Sequence, residues 1–75
     1  MKNKNIIEIN SALTQSQRTR LVNEVASRGR ICGPVVYRYL AGTTTPLYLY
    51  KKLICEVINE EFGIFTTVET LWPEA

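Results

Sequence analysis

Glycines and prolines constrain the fold of this chain more than any other feature, because they divide it into segments of helical length. The dividing residues are Gly29, Gly33, Pro34, Gly42, Pro46, Gly63 and Pro73. Between them, apolar residues recur three and four positions apart, which is the spacing of a helix with one buried face. The sequence therefore predicts an all-α domain with three main helices, at about residues 15–28, 34–41 and 47–62, and a short C-terminal turn.

Cap residues predict where the first of these helices begins and ends. Thr14, with Gln17 three residues later, has the pattern of a capping box. Gly29 follows the last apolar position and is expected to end the helix in the left-handed conformation. No glycine or proline interrupts residues 14–28, so a single helix is predicted there.

Similar signals predict the ends of the other elements. Gly33 is expected to be the N-cap of the second helix, with Pro34 as its first residue. Thr45 is expected to cap the third helix, which would start on Pro46. In the C-terminal segment, the apolar residues are expected to fold back onto the core as a lid: Phe65, Val68, Leu71 and Trp72.

The first twelve residues are compatible with two predictions. Ile6, Ile7 and Ile9 are β-branched and partly alternate with polar residues, as in a short strand, which would need a partner strand. The other prediction is a loosely ordered arm. Residues 1–12 are therefore expected to be an arm or a short strand, and residues 13–75 a single helical domain.

The composition argues against several classes of protein. The chain of 75 residues has no histidine, and no carboxylate pair or activated nucleophile is apparent, so no enzyme is expected. Cys32 and Cys55 do not form a CxxC pair and are expected to be reduced thiols. No apolar stretch has the length of a membrane span. These features favour a cytoplasmic protein with no metal, cofactor or small-molecule substrate.

Charge is distributed unevenly along the chain. Residues 1–52 hold nine lysines and arginines against two glutamates, a net of +7, whereas residues 53–75 hold five glutamates and no basic residue. Such asymmetry favours a protein with one face for a polyanion. The alternative is a chance segregation of solvated charges.

The segment from Val36 to Gly42 suggests which polyanion this would be. Val36 and Leu40 are expected to face a core, which leaves Tyr37 and Arg38 pointing outward. A short helix that displays an arginine and a tyrosine, in the basic part of the chain, is what a DNA-reading helix needs.

This segment, with Pro46 beyond it, resembles the helix-turn-helix regulators of the lambda-repressor/Cro type. Those proteins commonly carry a valine, an arginine and a leucine on the recognition helix, then a glycine, then a proline that opens the next helix. The ending Leu71-Trp72-Pro73 is also similar to that of small phage-type regulators. The resemblance covers about residues 21–73. It implies a helix-turn-helix domain that acts as a small transcriptional regulator, with residues 34–41 as the recognition helix in the major groove.

The chain departs from the family in two places. The family usually has two helices before the recognition helix, where this sequence predicts one. The turn glycine of the family falls on Arg30, whereas the glycine of this chain is Gly29.

Eight residues are expected to contact DNA: Arg30, Gly33, Pro34, Val35, Tyr37, Arg38, Thr43 and Thr44. Arg38 would contact a guanine or a phosphate, unless it is simply solvated. The arginines of the first helix and the threonines are expected to hold phosphates, and Val35 to touch a thymine methyl group.

The expected partner is double-stranded DNA, bound by a homodimer. The alternative is a protein-interaction adaptor that keeps the fold without binding DNA. The apolar start of the second helix and the wide apolar stripe of the third favour that alternative.

Overall fold

Five α-helices make up most of residues 4–73, which the computed structural model describes. The predicted all-α class is confirmed, and no residue of this range lies in a strand. The three main helices agree with their predicted bounds to within one residue at each end. Residues 1–3 of the predicted arm and residues 74–75 of the predicted domain lie outside this range. The helices are α1 Ile6–Ala12, α2 Gln15–Gly29, α3 Gly33–Ala41, α4 Tyr48–Phe62 and α5 Val68–Leu71.

The predictions of a strand and of a loosely ordered arm are wrong for residues 6–12, which form α1. The Asn5 side chain accepts a hydrogen bond from the Glu8 N–H at 2.9 Å, and the Glu8 carboxylate accepts one from the Asn5 N–H at 3.0 Å. This capping box fixes the first turn. Ile6 and Ile9, three residues apart, are buried on one face, whereas Ile7 is 49% exposed. The expectation of a single helix before α3 is therefore also wrong.

The ends of α2 and α3 differ from their predicted caps. The capping box of Thr14 is confirmed, but the left-handed residue after α2 is Arg30 rather than Gly29. A Cβ atom on Gly29 would lie 2.9 Å from the Leu53 Cδ2 atom, so this glycine allows α2 and α4 to approach closely. Cys32, not Gly33, is the N-cap of α3. Pro34 is tolerated there because the first-turn N–H groups of a helix have no partner within it.

The N-cap of α4 is Leu47, so the prediction that Thr45 caps this helix is wrong. Pro46 is buried and precedes the helix instead of starting it. The ring of a proline disfavours the helical conformation at the residue before it, which keeps Thr45 outside the helix. No side chain caps α4.

The core is centred on the contact between α2 and α4. Leu21 and Val25 from α2 and Ile54 and Ile58 from α4 belong to this core, and all four side chains are fully buried. α1 and α3 close one side of this pair. The other buried apolar residues are Ile6, Ile9, Leu13, Val22, Val36, Leu40, Cys55, Val57 and Leu71.

The C-terminal segment covers the core only in part. Thr67 accepts a hydrogen bond from the Thr70 N–H at 3.2 Å and caps α5, which confirms the predicted short turn. Leu71 is buried and Trp72 packs at the margin of the core. Phe65, however, is 94% exposed, so the prediction that it belongs to the lid is wrong. None of the helices in residues 4–73 combines the length and the apolar character needed to cross a membrane.

A matched pair of substitutions tests the assignment of α1. Ile9→Ala removes a buried side chain and is expected to lower the free energy of unfolding by about 2–4 kcal/mol. Ile7→Ala removes a half-exposed one and is expected to cost about 1 kcal/mol. Urea denaturation followed by circular dichroism measures both values. In a strand, Ile7 and Ile9 would share a face, so equal losses would contradict the helical assignment.

Candidate functional site

One side of α3 faces solvent along the whole helix. Pro34, Tyr37, Arg38 and Ala41 are exposed, and their spacing places them on one face. We call these four residues the α3 outer face. The opposite face is held in the core by Val36 and Leu40. The predicted orientation of Tyr37, which is 51% exposed, and of Arg38 is therefore confirmed.

Two predicted contact residues at the start of α3 face the protein more than the solvent. Gly33 is half-buried, and a Cβ atom on it would lie 3.7 Å from the Val22 Cγ1 atom of α2. Val35 is also half-buried. Neither residue belongs to the α3 outer face, so less of each is available to a ligand than of Tyr37 or Arg38.

Arg30 lies in the turn before α3 and has an unusual backbone. Its φ of 54° and ψ of 46° place it in the left-handed region, the only non-glycine residue with positive φ in the described chain. This conformation costs an ordinary L-residue roughly 1–2 kcal/mol. The side chain is exposed and makes no ion pair or hydrogen bond with another residue of the range 4–73. Residues with a strained backbone conformation occur often at functional sites, so Arg30 is a candidate functional residue.

The loop after α3 holds the two predicted threonines in different situations. The N–H and hydroxyl of Thr43 both donate to the Arg38 carbonyl oxygen, at 3.1 and 3.2 Å, so Thr43 closes the end of α3. Its hydroxyl proton is therefore not free for a phosphate. Thr44 is exposed and makes no such bond within residues 4–73. Gly42, between them and the helix, is left-handed with a φ of 81°.

Two arginines of α2, which the sequence analysis expects to hold phosphates, are paired with glutamates. Arg28 contacts Glu60 at 2.9 Å and Glu24 at 3.2 Å, and Arg20 contacts Glu61 at 2.6 Å. The hydrogen bond that Arg28 donates to the Glu60 carboxylate, together with the negative charges of Glu60 and Glu24, raises the pKa of Arg28 above its usual value. The acidic end of α4 thus neutralises α2, because the two helices pack side by side.

Three other cations, Arg18, Lys51 and Lys52, make contacts of different kinds. Arg18 donates from Nε to a backbone carbonyl of α1 at 2.9 Å. The Lys51 ammonium lies over the Trp72 ring and the Lys52 ammonium over the Tyr48 ring, each 5.9 Å from the ring centroid. Neither lysine forms an ion pair within residues 4–73. Within residues 4–73, four cations without an ion pair therefore lie around α3 and the start of α4: Arg30, Arg38, Lys51 and Lys52.

Sequence reasoning misses two residues of this surface. Cys32 is exposed and serves as the N-cap of α3 without a side-chain hydrogen bond. Ala41 completes the α3 outer face. Extending the helical spacing from Pro34 through Arg38 to the next turn would have found Ala41.

Comparison with known proteins identifies no relative of this chain. No protein-family model, no curated protein and no solved structure matches the chain. The chemistry of the surface is therefore that of its own side chains: an aromatic hydroxyl, two unpaired guanidinium groups, a thiol and an exposed threonine.

The backbone of Arg30 leads to a prediction on stability. Arg30→Gly removes the left-handed strain and is expected to raise the free energy of unfolding by about 0.5–1 kcal/mol. The same substitution in the last turn of α3, Arg38→Gly, has no left-handed strain to relieve and is expected to lower it by up to about 1 kcal/mol. Urea denaturation of the two variants measures both changes. If both variants were destabilised alike, Arg30 would not be strained.

Proposed function

We propose that this chain binds double-stranded DNA through the α3 outer face and acts as a small cytoplasmic transcriptional regulator. In this proposal α2 and α3 form a helix-turn-helix unit, with α3 in the major groove. The observation that carries the proposal is the distribution of charge. Among residues 4–73, Arg30 and Arg38 have no ion-pair partner around α3, while Arg20 and Arg28 are paired with glutamates at the end of α4.

The connection between α2 and α3 supports a helix-turn-helix unit. Three residues, 30–32, join the two helices, which is a length typical of this motif. Arg30 adopts the left-handed conformation at the position where regulators of the lambda-repressor/Cro type carry their turn glycine. α1 and α2 together supply the two helices that those regulators place before the recognition helix.

The side chains around α3 suit the two kinds of contact that DNA offers. A guanidinium group, as in Arg38, can fork onto a guanine edge or bind a phosphate, and the Tyr37 hydroxyl can donate to a phosphate. Arg30, at the rim of α3, is placed for a phosphate. Gly33 and Val35 are half-buried. We therefore assign the contacts with DNA bases to Arg38, and the contacts with the phosphate backbone of DNA to Arg30 and Tyr37.

The start of α4 adds a second phosphate-binding feature. Its first turn carries no acidic residue and no side-chain cap, and Lys51 and Lys52 follow directly. Lysines near the positive end of a helix dipole are unfavourable unless an anion is present. A phosphate beside Thr44 and the free N–H groups of this turn would compensate for that arrangement.

A comparison of two arginine variants tests the proposal. Arg38→Ala is expected to weaken binding to duplex DNA by about 1–3 kcal/mol, or roughly 5- to 150-fold, and to reduce the slope of log affinity against log salt by about 0.9 if the contact is to a phosphate. Arg20→Ala is the matched control, since this arginine is already paired with Glu61. Fluorescence anisotropy with a labelled duplex, over a series of salt concentrations, measures both properties.

The same assay separates DNA binding from the alternative function. Leu47, Tyr48 and Leu49 form an exposed apolar stretch, at 71%, 61% and 71% exposure, which favours a protein-binding adaptor. Even non-specific DNA-binding proteins reach dissociation constants of about 10⁻⁴–10⁻⁶ M. Absence of binding to random duplex at low salt and micromolar protein would therefore favour the adaptor. Equal losses in Arg38→Ala and Arg20→Ala would remove α3 from the interface.

The two cysteines provide a footprint of the proposed interface. Cys32 is exposed at the start of α3, whereas Cys55 is buried, and this burial raises the pKa of its thiol. Since the thiolate is the reactive form, iodoacetamide is expected to modify Cys32 before Cys55. Added duplex DNA is expected to slow the modification of Cys32 and leave the rate at Cys55 unchanged, as read by mass spectrometry of peptides. A Cys32 rate that saturating DNA does not change would contradict binding through the start of α3.

A further inference from the structure

A cavity lies between the start of α1, the loop after α3 and the end of α5. Its volume is about 480 Å³, within the range of about 300–1,000 Å³ that is usual for small-molecule sites. The apolar walls come from the two ends of the domain: Ile6, Ile7, Leu71 and Trp72. Polar groups reach the cavity from Asn5, Thr45 and Lys51. An apolar pocket with a few polar groups is the usual form of a ligand site.

The cavity has one charged group and no carboxylate to balance it. Lys51 is the only charged residue among those that line it within residues 4–73. Lys51 is half-buried and forms no ion pair in that part of the chain. Removing an ammonium group from water without a counter-ion is unfavourable. The cavity therefore favours a ligand that carries a negative charge.

The tryptophan beside this lysine has a hydrogen-bond donor without a partner. The Trp72 Nε1 atom is buried and finds no acceptor among residues 4–73. An indole N–H can only donate, so an acceptor is the one kind of group that satisfies it. A buried donor without an acceptor costs free energy, which an acceptor that enters the cavity beside the indole would recover.

We propose that this cavity binds a small organic carboxylate, whose charged group lies between the Lys51 ammonium and the Trp72 indole. The ammonium nitrogen lies 5.9 Å from the centroid of the indole ring. Because a hydrogen bond spans about 2.7–3.2 Å, one carboxylate between the two groups can accept from both. The rest of the ligand contacts the isoleucines at the start of α1 and Leu71 of α5.

The groups in the cavity suit a carboxylate better than a free phosphate. A carboxylate has a single negative charge and two acceptor oxygens, which match one ammonium and one indole N–H. A phosphate monoester carries a charge of about −1.5 to −2 at pH 7 and three acceptor oxygens, more than one lysine neutralises. The apolar walls in turn favour a ligand with an apolar body, which an inorganic ion lacks.

The cavity is separate from the α3 outer face. No residue of that face lines it. Because a duplex is much wider than the cavity, a DNA phosphate can reach the rim at Thr45 but not the indole nitrogen, which is buried. Carboxylate binding therefore does not depend on the proposed binding of DNA.

NMR spectroscopy of the ¹⁵N-labelled chain tests this site, because Trp72 is the only tryptophan and gives a single indole N–H signal. Titration with sodium benzoate at constant ionic strength is expected to move this signal to saturation, with a dissociation constant of about 10 mM or less. Benzamide has the same ring without the charge and is expected to bind at least about tenfold more weakly. Sodium phosphate, which has the charge without the ring, is also expected to bind more weakly than benzoate.

Two neighbouring lysines provide a matched pair of variants. Lys51→Gln removes the charge from the cavity and is expected to weaken benzoate binding by about tenfold. Lys52→Gln makes the same change one residue later, outside the lining of the cavity, and is expected to bind benzoate like the wild type. Circular dichroism checks that both variants are folded.

Trp72→Phe tests the hydrogen bond from the indole, since it keeps an aromatic ring and removes the N–H. This variant is expected to bind benzoate about 2- to 10-fold more weakly. The backbone amide signal of Gly42, which also lines the cavity, reports binding when the indole is absent. Wild-type affinity in a folded Trp72→Phe variant would contradict a carboxylate at the indole.

Three further outcomes would overturn the proposal. They are an indole signal that benzoate does not move, equal affinity for benzoate and benzamide, and equal losses in Lys51→Gln and Lys52→Gln. An indole signal that moves with phosphate or duplex DNA as readily as with benzoate would assign the site to a phosphate instead. Loss of DNA binding in Arg38→Ala with unchanged benzoate binding is expected, which keeps this test separate from that of the proposed function.

Discussion

The packing of α2 against α4 is the constraint on which the rest of the structure depends. Leu21 and Ile54 are fully buried in this pair of helices, and the absence of a side chain on Gly29 leaves room for the Leu53 side chain of α4. The same contact brings Arg28 to within 2.9 Å of Glu60. A single helix pair thus supplies the centre of the core and also decides where charge is neutralised.

The neutralised charge determines what the surface around α3 can do. Surface ion pairs of this kind contribute little to stability, about 0–1 kcal/mol each. Their larger effect is to pair Arg20 and Arg28 with glutamates, whereas Arg30 and Arg38 make no ion pair or hydrogen bond through their side chains within residues 4–73. A chain with a strongly basic first part therefore has a smaller and more local positive surface than its sequence suggests.

The first and last parts of the chain complete the domain in different ways. α1 packs on α3, where a Cβ atom on Gly42 would lie only 2.7 Å from the Ile7 Cδ1 atom, so the end of α3 is shaped to receive α1. The loop after α4 is instead fixed by hydrogen bonds from Asn59 to the backbone of Thr66. The packing of α1 buries apolar surface, whereas the hydrogen-bonded loop after α4 leaves Phe65 exposed.

The sequence by itself determined the features that depend on residues within about one helical turn of each other. The bounds of the three main helices, the Thr14 capping box and the outward direction of Arg38 follow from local spacing. The capping box of α1, Asn5 with Glu8 three residues later, has the same spacing in the sequence. Only the tertiary structure decided which arginines stay unpaired and that Phe65 is exposed. Those outcomes depend on contacts between segments far apart in sequence, and local periodicity does not specify which helix faces meet.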